Sequence, residues 1–282
     1  MITKCVSGVE FLAAPGIQTP HGFSTRIGGV SEGIFQSLNL GHRRGDDPAR
    51  VRENYHRFCA ATGTDVSRVV MTNQVHSNVV KVVTAGNIKP DLLAPTPFEA
   101  DGLATNVPGV TLVIFSADCI PILLFDPVKN AVAAAHAGWR GTAAAIGAVA
   151  VETMRTQFGS DPKDIYAAIG PGIGPCCFET DGDVPAAMTA ALGTLTAPCM
   201  VQTGKKWRVD LKGINRAVLE RAGLLPGHID VSEDCTCCQH ERFWSHRFTK
   251  GERGSQAAVI MVKDESREQT AKETKGTAKM QC

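Results

Sequence analysis

The feature that most constrains the fold of this chain is a set of short apolar runs with little sequence between them. Apolar runs of this length, bounded by turn residues, are typical of strands buried on both faces. The sequence DPVKN at 126–130 predicts a turn that joins two of them as a hairpin. The chain is therefore expected to fold around β-sheet. The runs lie at residues 110–116, 120–125, 131–135, 165–169 and 257–262.

Amphipathic segments between these runs predict surface helices. One begins with Asp47 as N-cap and ends before Gly63. A second opens after Gly141 and is closed by Gly159, and a third covers about 211–222. Helices and strands follow one another without a regular βαβ rhythm. The order favours a mixed α/β sandwich over a doubly wound parallel sheet.

Composition and charge narrow the class of partner. The chain is 43% hydrophobic with a net charge of +1, which gives no sign of nucleic acid or an anionic membrane as a partner. Residues 1–20 lack the basic start and apolar stretch of a signal peptide. The longest apolar runs fall far below the roughly 18 residues that cross a membrane. We expect a soluble, cytoplasmic enzyme that is a monomer or weak homodimer.

Domain organisation is expected to be simple. The chain shows no linker and no internal repeat, so we predict one catalytic domain over 1–263. Residues 264–282 are polar and lack an apolar period, which predicts a disordered tail.

The ten cysteines are expected to be reduced. Adjacent pairs at 176–177 and 237–238 suit a disulfide framework poorly in a chain of this length. The sequence DCTCC at 234–238 looks like a fragment of a zinc ribbon, but it has no second Cys-x-x-Cys partner. We therefore expect no structural zinc there.

Two histidines and one cysteine carry the clearest chemical signal. We expect separate strands to bring them to a common edge, with His76 facing a cleft from a strand. This set matches a catalytic zinc site with an open position. Copper has less support, because the eight histidines contain no His-x-His. Alternatively, Cys119 is a nucleophile and His136 its base. The three residues are His76 in NQVH (73–76), Cys119 in SADC (116–119) and His136 in AAHAGWR (134–140).

Charged residues near these motifs are candidates for substrate binding. Arg26 and Arg43 are possible forks for phosphate or carboxylate, and Arg140 adds a fixed positive charge beside His136. Asp118 precedes Cys119 and is a candidate to orient the base or a ligand. For deamination by metal-activated water, Asp118 and Glu179 are the candidate proton shuttles.

Taken together, these segments resemble the YfiH/laccase-domain family, also described as multicopper polyphenol oxidases and as zinc-dependent purine nucleoside phosphorylases. Two departures are visible: Ser77 replaces the usual glycine, and HRF at 246–248 replaces a more typical Tyr-Arg-Arg. The matching stretches span about 22–262. They are RIGGVS (26–31), SLNLG (37–41), QVH (74–76), ADG (100–102), SADC (116–119), HAGWRG (136–141), residues 169–177, and Cys235 with RFWS (242–245).

The resemblance implies a single α+β domain with mixed sheets sandwiched between helices in α/β/β/α layers. It implies a zinc site of His76, Cys119 and His136. The implied reaction is cleavage of adenosine or inosine by phosphate, giving free base and ribose 1-phosphate. Related family activities are adenosine deamination and methylthioadenosine phosphorolysis.

Three alternatives stay open. One is a cysteine hydrolase acting in peptidoglycan precursor editing, a role to which some bacterial members of the family have been linked. The second is a copper-dependent polyphenol oxidase. The third is a zinc-dependent partner-binding module, which would need an exposed apolar patch that the sequence does not show.

Overall fold

A computed structural model describes residues 1–264. The described residues form a mixed α+β fold with two six-stranded sheets and one three-stranded sheet. The strands are β1 (Ile2–Val6), β2 (Val9–Ala13), β3 (His21–Ser24), β4 (Val69–Val70), β5 (Val80–Val82), β6 (Gly102–Thr105), β7 (Thr111–Ser116), β8 (Ile120–Asp126), β9 (Ala131–Ala137), β10 (Tyr166–Ile169), β11 (Glu179–Thr180), β12 (Met200–Thr203), β13 (Lys206–Val209), β14 (Ile229–Val231) and β15 (Gln256–Met261). The helices are α1 (Pro48–Thr62), α2 (Trp139–Ala143), α3 (Ile146–Phe158), α4 (Asp183–Leu192), α5 (Leu211–Arg221) and α6 (His246–Thr249).

The first six-stranded sheet has the order β1-β2-β3-β15-β7-β4. The late strand β15 lies between β3 and β7 and pairs antiparallel with both. Helix α1 covers one face, where its Tyr55 and Phe58 are buried with Val113 of β7 and Val259 of β15. The sheet therefore joins both ends of the described chain.

The second six-stranded sheet has the order β14-β10-β8-β9-β6-β5. The predicted hairpin is confirmed, since β8 and β9 pair antiparallel with Asp126 opposite Ala131. One face of this sheet packs with α3 and α5, and the other packs on the first sheet through residues such as Leu123 and Val132. The molecule thus has the α/β/β/α layers that the family resemblance implies.

Helix boundaries follow local signals only in part. The prediction for α1 is confirmed: the Asp47 carboxylate accepts from the amide of Ala49, and Gly63 ends the helix with φ +73°. The second helix was expected to open after Gly141. Instead α2 begins earlier, and Ala145 in the left-handed region (φ +54°) separates it from α3. Alanine gives no sequence signal for such a break.

None of the helices within residues 1–264 is long and apolar enough to cross a membrane. The tail predicted for 264–282 lies outside the described residues except for Asp264.

Candidate active site

His76, Cys119 and His136 converge where the two large sheets meet. Their nearest ligand atoms all lie within 4.8 Å of one another, and 3.9 Å separates Sγ of Cys119 from Nε2 of His76. A thiol and two imidazoles at this spacing form a candidate metal site. This is the grouping that the sequence predicted.

Each of the three side chains reaches the site by a different route. His136 is in β9, where side chains alternate, so it shares a face with Val132 and Ala134 between the sheets. Cys119 lies in the β7–β8 connection, which crosses from the first sheet to the second. The prediction that His76 faces the cleft from a strand is wrong. His76 lies in the loop after β4, with φ +61°.

Asp101 connects the two histidines. Its Oδ1 accepts from Nδ1 of His136 at 2.9 Å, and its carboxylate also accepts from the amides of Val75, His76 and Ser77. Three successive amides aimed at one carboxylate explain how the loop holds His76 in a left-handed conformation. The bond at Nδ1 of His136 leaves its Nε2 available to a metal. No sequence pattern predicted this role for Asp101, which lies in the matching stretch ADG (100–102).

Without metal, buried His136 and half-buried Cys119 have strongly shifted pKa values. Burial raises the pKa of Cys119, but the charges and hydrogen bonds of His136 and His76 outweigh it and lower this pKa to about 6. Burial lowers the pKa of His136, but the Cys119 thiolate and the Asp101 carboxylate outweigh it and raise this pKa to about 9. These opposite shifts favour a thiolate beside an imidazolium when the site is free of metal.

Asp118 is a positioning group. Its Oδ1 accepts from the Thr236 hydroxyl at 2.7 Å, and its Oδ2 accepts from the Arg247 amide at 2.6 Å. Its backbone, at φ +84°, is in a region that a non-glycine residue adopts only when its surroundings enforce it. These bonds fix the chain immediately before Cys119.

Two neighbouring cavities adjoin these side chains: His76 and Cys119 line both, and His136 lines the smaller one. Their volumes are about 220 and 320 Å³, and small-molecule sites typically span roughly 300–1,000 Å³. The larger cavity has an apolar wall of Trp139, Ile173, Phe178 and Leu211. The smaller cavity is lined by polar and basic groups that include His42, Arg43 and Gln74. Both are lined by Arg44, His76, Ala117, Cys119 and Arg253.

Arg253, which the sequence analysis missed, is the buried cation of this site. It is 8% exposed, and its Nη1 donates to Gly254 O and to the Ser255 hydroxyl. Its Nε has no partner within residues 1–264. Burial, followed by the charge of Arg44, lowers the pKa of Arg253 to about 10. Because the charge of Arg44 acts on Arg253 and both line the same cavities, an anion beside the two guanidinium groups is favoured.

His42 is the second group that the sequence analysis missed. Its ring stands 5.6 Å from the Phe115 ring, and both ring nitrogens are buried without a partner in the described part of the chain. Burial, with the charges of Arg43 and Lys89, lowers its pKa to about 4. A neutral His42 can offer the cavity one donor and one acceptor.

Some residues singled out from the sequence lie elsewhere. Arg26 does not line either cavity: it stacks 3.9 Å from the Trp244 ring, and its guanidinium donates to the carbonyls of Gln36 and His240. Arg140 is exposed over the Trp139 ring. Glu179 is exposed, lies 3.6 Å from Arg208 and lines neither cavity.

The structure also brings together a second group of thiols. The sequence offered no partner for Cys235 and Cys238, yet the fold brings Cys176 and Cys177 to them. The four sulfur atoms lie within 4.8 Å of one another. The partner was missed because it is an adjacent pair, distant in sequence, and not a second Cys-x-x-Cys.

Comparison with known proteins gives consistent matches over most of the chain. The family model described as multi-copper polyphenol oxidoreductase laccase matches residues 20–263. A purine nucleoside phosphorylase of Deinococcus radiodurans is 42% identical over 254 residues, covering 90% of this chain and 93% of that protein. The purine nucleoside phosphorylase YfiH of Escherichia coli is 37% identical, covering 80% and 87%. The crystal structure of YlmD from Geobacillus stearothermophilus has a TM-score of 0.87 at 36% identity, covering 93% and 98%.

Proposed function

This chain belongs to the multi-copper polyphenol oxidoreductase laccase family, and from that premise we propose that it is a zinc-dependent purine nucleoside phosphorylase. The observation that carries the proposal is the position of His76 and Cys119 between two cavities that share Arg44 and Arg253, the larger of which also offers the aromatic surface of Trp139 and Phe178. The purine of a nucleoside suits the aromatic surface, and phosphate suits the cations. The proposed products are the free base and ribose 1-phosphate.

The donor set at this site fits zinc. One thiolate and two imidazoles are common zinc ligands, and three protein ligands leave a fourth position for substrate or water. The Asp101–His136 hydrogen bond is the kind of contact that orients metal-binding histidines. When bound, zinc would act as a Lewis acid toward an oxygen of the substrate or of water. Copper is the alternative metal, and metal analysis of the purified protein distinguishes it from zinc.

The two cavities suggest how the substrates are arranged. Phosphate is assigned to Arg44 and Arg253, because the unpartnered Nε of Arg253 and the proximity of the two cations favour an anion. The purine is assigned to the larger cavity, where Trp139 and Phe178 offer aromatic surface. The ribose then lies beside Cys119, which lines both cavities.

In this arrangement the chemistry occurs at the anomeric carbon. A phosphate oxygen forms a bond to C1′ as the bond between C1′ and the purine nitrogen breaks, and the base leaves with the electron pair. Positive charge develops on the ribose in the transition state, so an anion held close by favours it. Arg44 and Arg253 contribute by orienting phosphate in the position of attack.

The proposal is tested by incubating purified protein with inosine or adenosine, with and without phosphate, and separating the products. We expect phosphate-dependent release of hypoxanthine or adenine, matched by ribose 1-phosphate. Cys119→Ala should abolish it, whereas Cys5→Ala, on exposed strand β1, should not. Metal-replete protein that releases no base from either nucleoside would refute the proposal.

Phosphate binding has its own test. Arg44→Ala should raise the KM for phosphate about tenfold or more and change the KM for inosine little, because a lost charged hydrogen bond costs about 1.5–3 kcal/mol. Arg50→Ala, whose arginine pairs with Glu32, is the matched control. Equal changes in both KM values would remove Arg44 from the phosphate site.

Finer expectations stay part of the proposal. Adenosine deamination and methylthioadenosine phosphorolysis are tested in the same assay, the first by inosine formed without phosphate. Both oxygens of Asp118 already accept hydrogen bonds, and Glu179 lies off the cavities, so phosphorolysis is better supported than deamination. We propose a cytoplasmic monomer or weak homodimer, with the catalytic domain over 1–263.

One observation favours a second candidate function. The buried pair Asp101–His136 next to Cys119 has the order of groups found in cysteine hydrolases. This candidate requires rapid alkylation of Cys119 in the protein as purified. Under the phosphorylase proposal, alkylation begins only after a chelator has removed zinc.

A further inference from the structure

Four cysteines outside the candidate active site form a second compact thiol group. Cys176 and Cys177 follow the glycine-rich segment after β10, and Cys235 and Cys238 lie in the turn after β14. The sulfur of Cys238 is 3.5 Å from that of Cys176 and 3.4 Å from that of Cys177. All four sulfurs lie within 4.8 Å of one another.

This spacing is close to that of a tetrahedral thiolate site. A zinc–sulfur distance of about 2.3 Å places neighbouring sulfurs roughly 3.8 Å apart. A disulfide requires about 2.05 Å between one chosen pair. Cys238 is nearly equidistant from two partners, so the arrangement resembles a ligand shell more than a bond between two sulfurs.

The backbone around Cys235 also suits a metal-bound thiolate. The Gly174 amide donates to its Sγ at 3.2 Å, and the amides of Cys237 and Cys238 lie against the same sulfur. Gly174 leaves room for this approach, because a Cβ there would lie 3.2 Å from both Cys176 Sγ and Cys235 Cβ. Amides that donate to sulfur stabilise the negative charge that a metal ligand carries.

Three cationic side chains surround the group. Arg208 donates to the Cys176 carbonyl, and Arg247 donates to the Cys177 carbonyl at 2.8 Å. Buried Lys212 donates to the carbonyls of Ser232 and Asp234, just before the turn. Four thiolates and one zinc ion carry a net charge of about −2, which such cations offset.

We propose that Cys176, Cys177, Cys235 and Cys238 bind a structural zinc ion, separate from the candidate active site. The residue types favour zinc over harder cations, because four soft thiolates without a carboxylate are typical of closed zinc sites. Binding replaces the four thiol protons with one metal ion, so no oxidant or reductant is needed.

The proposed zinc would join two loops that hold the active-site chain. Thr236, between two of the ligands, donates to Oδ1 of Asp118, while the Ile173 amide donates to the Asp118 carbonyl at 2.8 Å. The two loops also bond directly through Thr236 N and Gly172 O. The metal would therefore act on catalysis indirectly, by fixing the backbone that precedes Cys119.

The test is metal analysis of the full chain with the first site removed. In His76→Ala/Cys119→Ala, mass spectrometry of metals should find about one zinc per chain, against about two in the unaltered protein. X-ray absorption at the zinc edge should show sulfur ligands alone, at about 2.3 Å. Adding Cys235→Ser should remove this zinc, whereas adding Cys237→Ser, which changes a cysteine outside the group, should retain it.

The outcomes separate this proposal from its competitors. A double variant without zinc, zinc bound through nitrogen or oxygen, or zinc that survives Cys235→Ser would overturn it. A disulfide between any two of the four cysteines, found by mass spectrometry of non-reduced peptides, would also overturn it. If Cys235→Ser does not fold, the zinc content and absorption of the double variant decide alone. None of these results depends on nucleoside turnover, so the two proposals fail independently.

Discussion

At the scale of single residues, Asp101 organises the candidate active site. Its side chain is fully buried and accepts from one imidazole and three backbone amides. Burial raises the pKa of Asp101, but hydrogen bonds from His136 and Ser77 outweigh it and lower this pKa to about 2. The carboxylate is therefore charged throughout the pH range in which the protein would work.

We predict that Asp101→Asn weakens zinc binding about 10–100-fold, because the neutral amide supports His136 less well and its NH2 opposes the loop amides. The measurement is competition for zinc with a coloured chelator. Asp91→Asn, at a surface ion pair with Arg52, is the control. Equal zinc affinity in both variants and the unaltered protein would contradict this role for Asp101.

The thiol of metal-free protein gives a second prediction. Because the pKa of Cys119 is lowered to about 6, its alkylation by iodoacetamide should be half-maximal near pH 6 and slow below it, where the thiol is protonated. Peptide mass spectrometry identifies the modified cysteine. Buried Cys59, whose pKa is raised to about 11 by burial, should stay unmodified.

The alkylation profile has two checks. His136→Gln should move the midpoint of Cys119 alkylation toward about 8.5, the ordinary pKa of cysteine. Added zinc should protect Cys119 in the unaltered protein. A midpoint near 8.5 without any substitution would mean that His136 does not stabilise the thiolate.

Sequence patterns identified the three side chains at the centre of the site better than the residues that surround them. His76, Cys119 and His136 stand next to apolar runs, and this position predicted their convergence. Arg253 and His42 gave no such signal, because each becomes part of the site through contacts between distant segments. Arg26 looked equally suitable as an anion fork, yet its donors bind backbone carbonyls.

At the scale of elements, the turn between β9 and α2 sets the width of the site. Gly138 is the N-cap of α2 with φ −64°, a conformation open to any residue. A Cβ at this position would lie 3.0 Å from Cys119 Sγ and 3.0 Å from His76 Cδ2. Space therefore favours glycine here, because the helix begins directly against the side chains of Cys119 and His76.

We predict that Gly138→Ala lowers kcat/KM about tenfold or more with little loss of stability, since displacement of a ligand by a few tenths of an ångström disturbs positioning. The measurements are steady-state kinetics and thermal unfolding. Gly227→Ala, where a Cβ would have open space, is the matched control. Full activity of Gly138→Ala would show that the proposed ligands can shift without loss of kcat/KM.

The sequence predicted best those elements whose ends are marked by helix-capping or turn residues. The end of α1 follows from Gly63, and the hairpin of β8 and β9 follows from the turn at 126–130. Strand β1 has no buried residue, so it lacks the apolar run that marks the core strands. The loop conformation of His76 depends on Asp101, which lies on a different segment, and no local pattern encodes it.

At the scale of the whole molecule, positive charge is local and not general. The net charge is only +1, yet Arg43, Arg44 and Arg253 line the smaller cavity. Because its net charge is small, the protein attracts an anion through the arginines at the cavity and not through long-range electrostatic steering. The charges at the cavity are screened over about 8 Å at physiological ionic strength.

This charge distribution predicts a selective salt effect. Raising sodium chloride from about 0.05 M to about 0.5 M should raise the KM for phosphate several-fold, while the KM for inosine changes less than about twofold. Arg44→Ala should reduce the salt dependence for phosphate, and Arg50→Ala should leave it unchanged. A parallel rise in both KM values would point to a general effect of salt on the enzyme.

The central place of β15 in the first sheet has a consequence for biosynthesis. Strands β3 and β7 are both made early, but each pairs with β15, which is among the last described segments to leave the ribosome. A nascent chain that ends at Ser255 contains every proposed ligand of both metal sites, yet its first sheet is still in two pieces. The first sheet therefore cannot be completed until β15 itself has been translated.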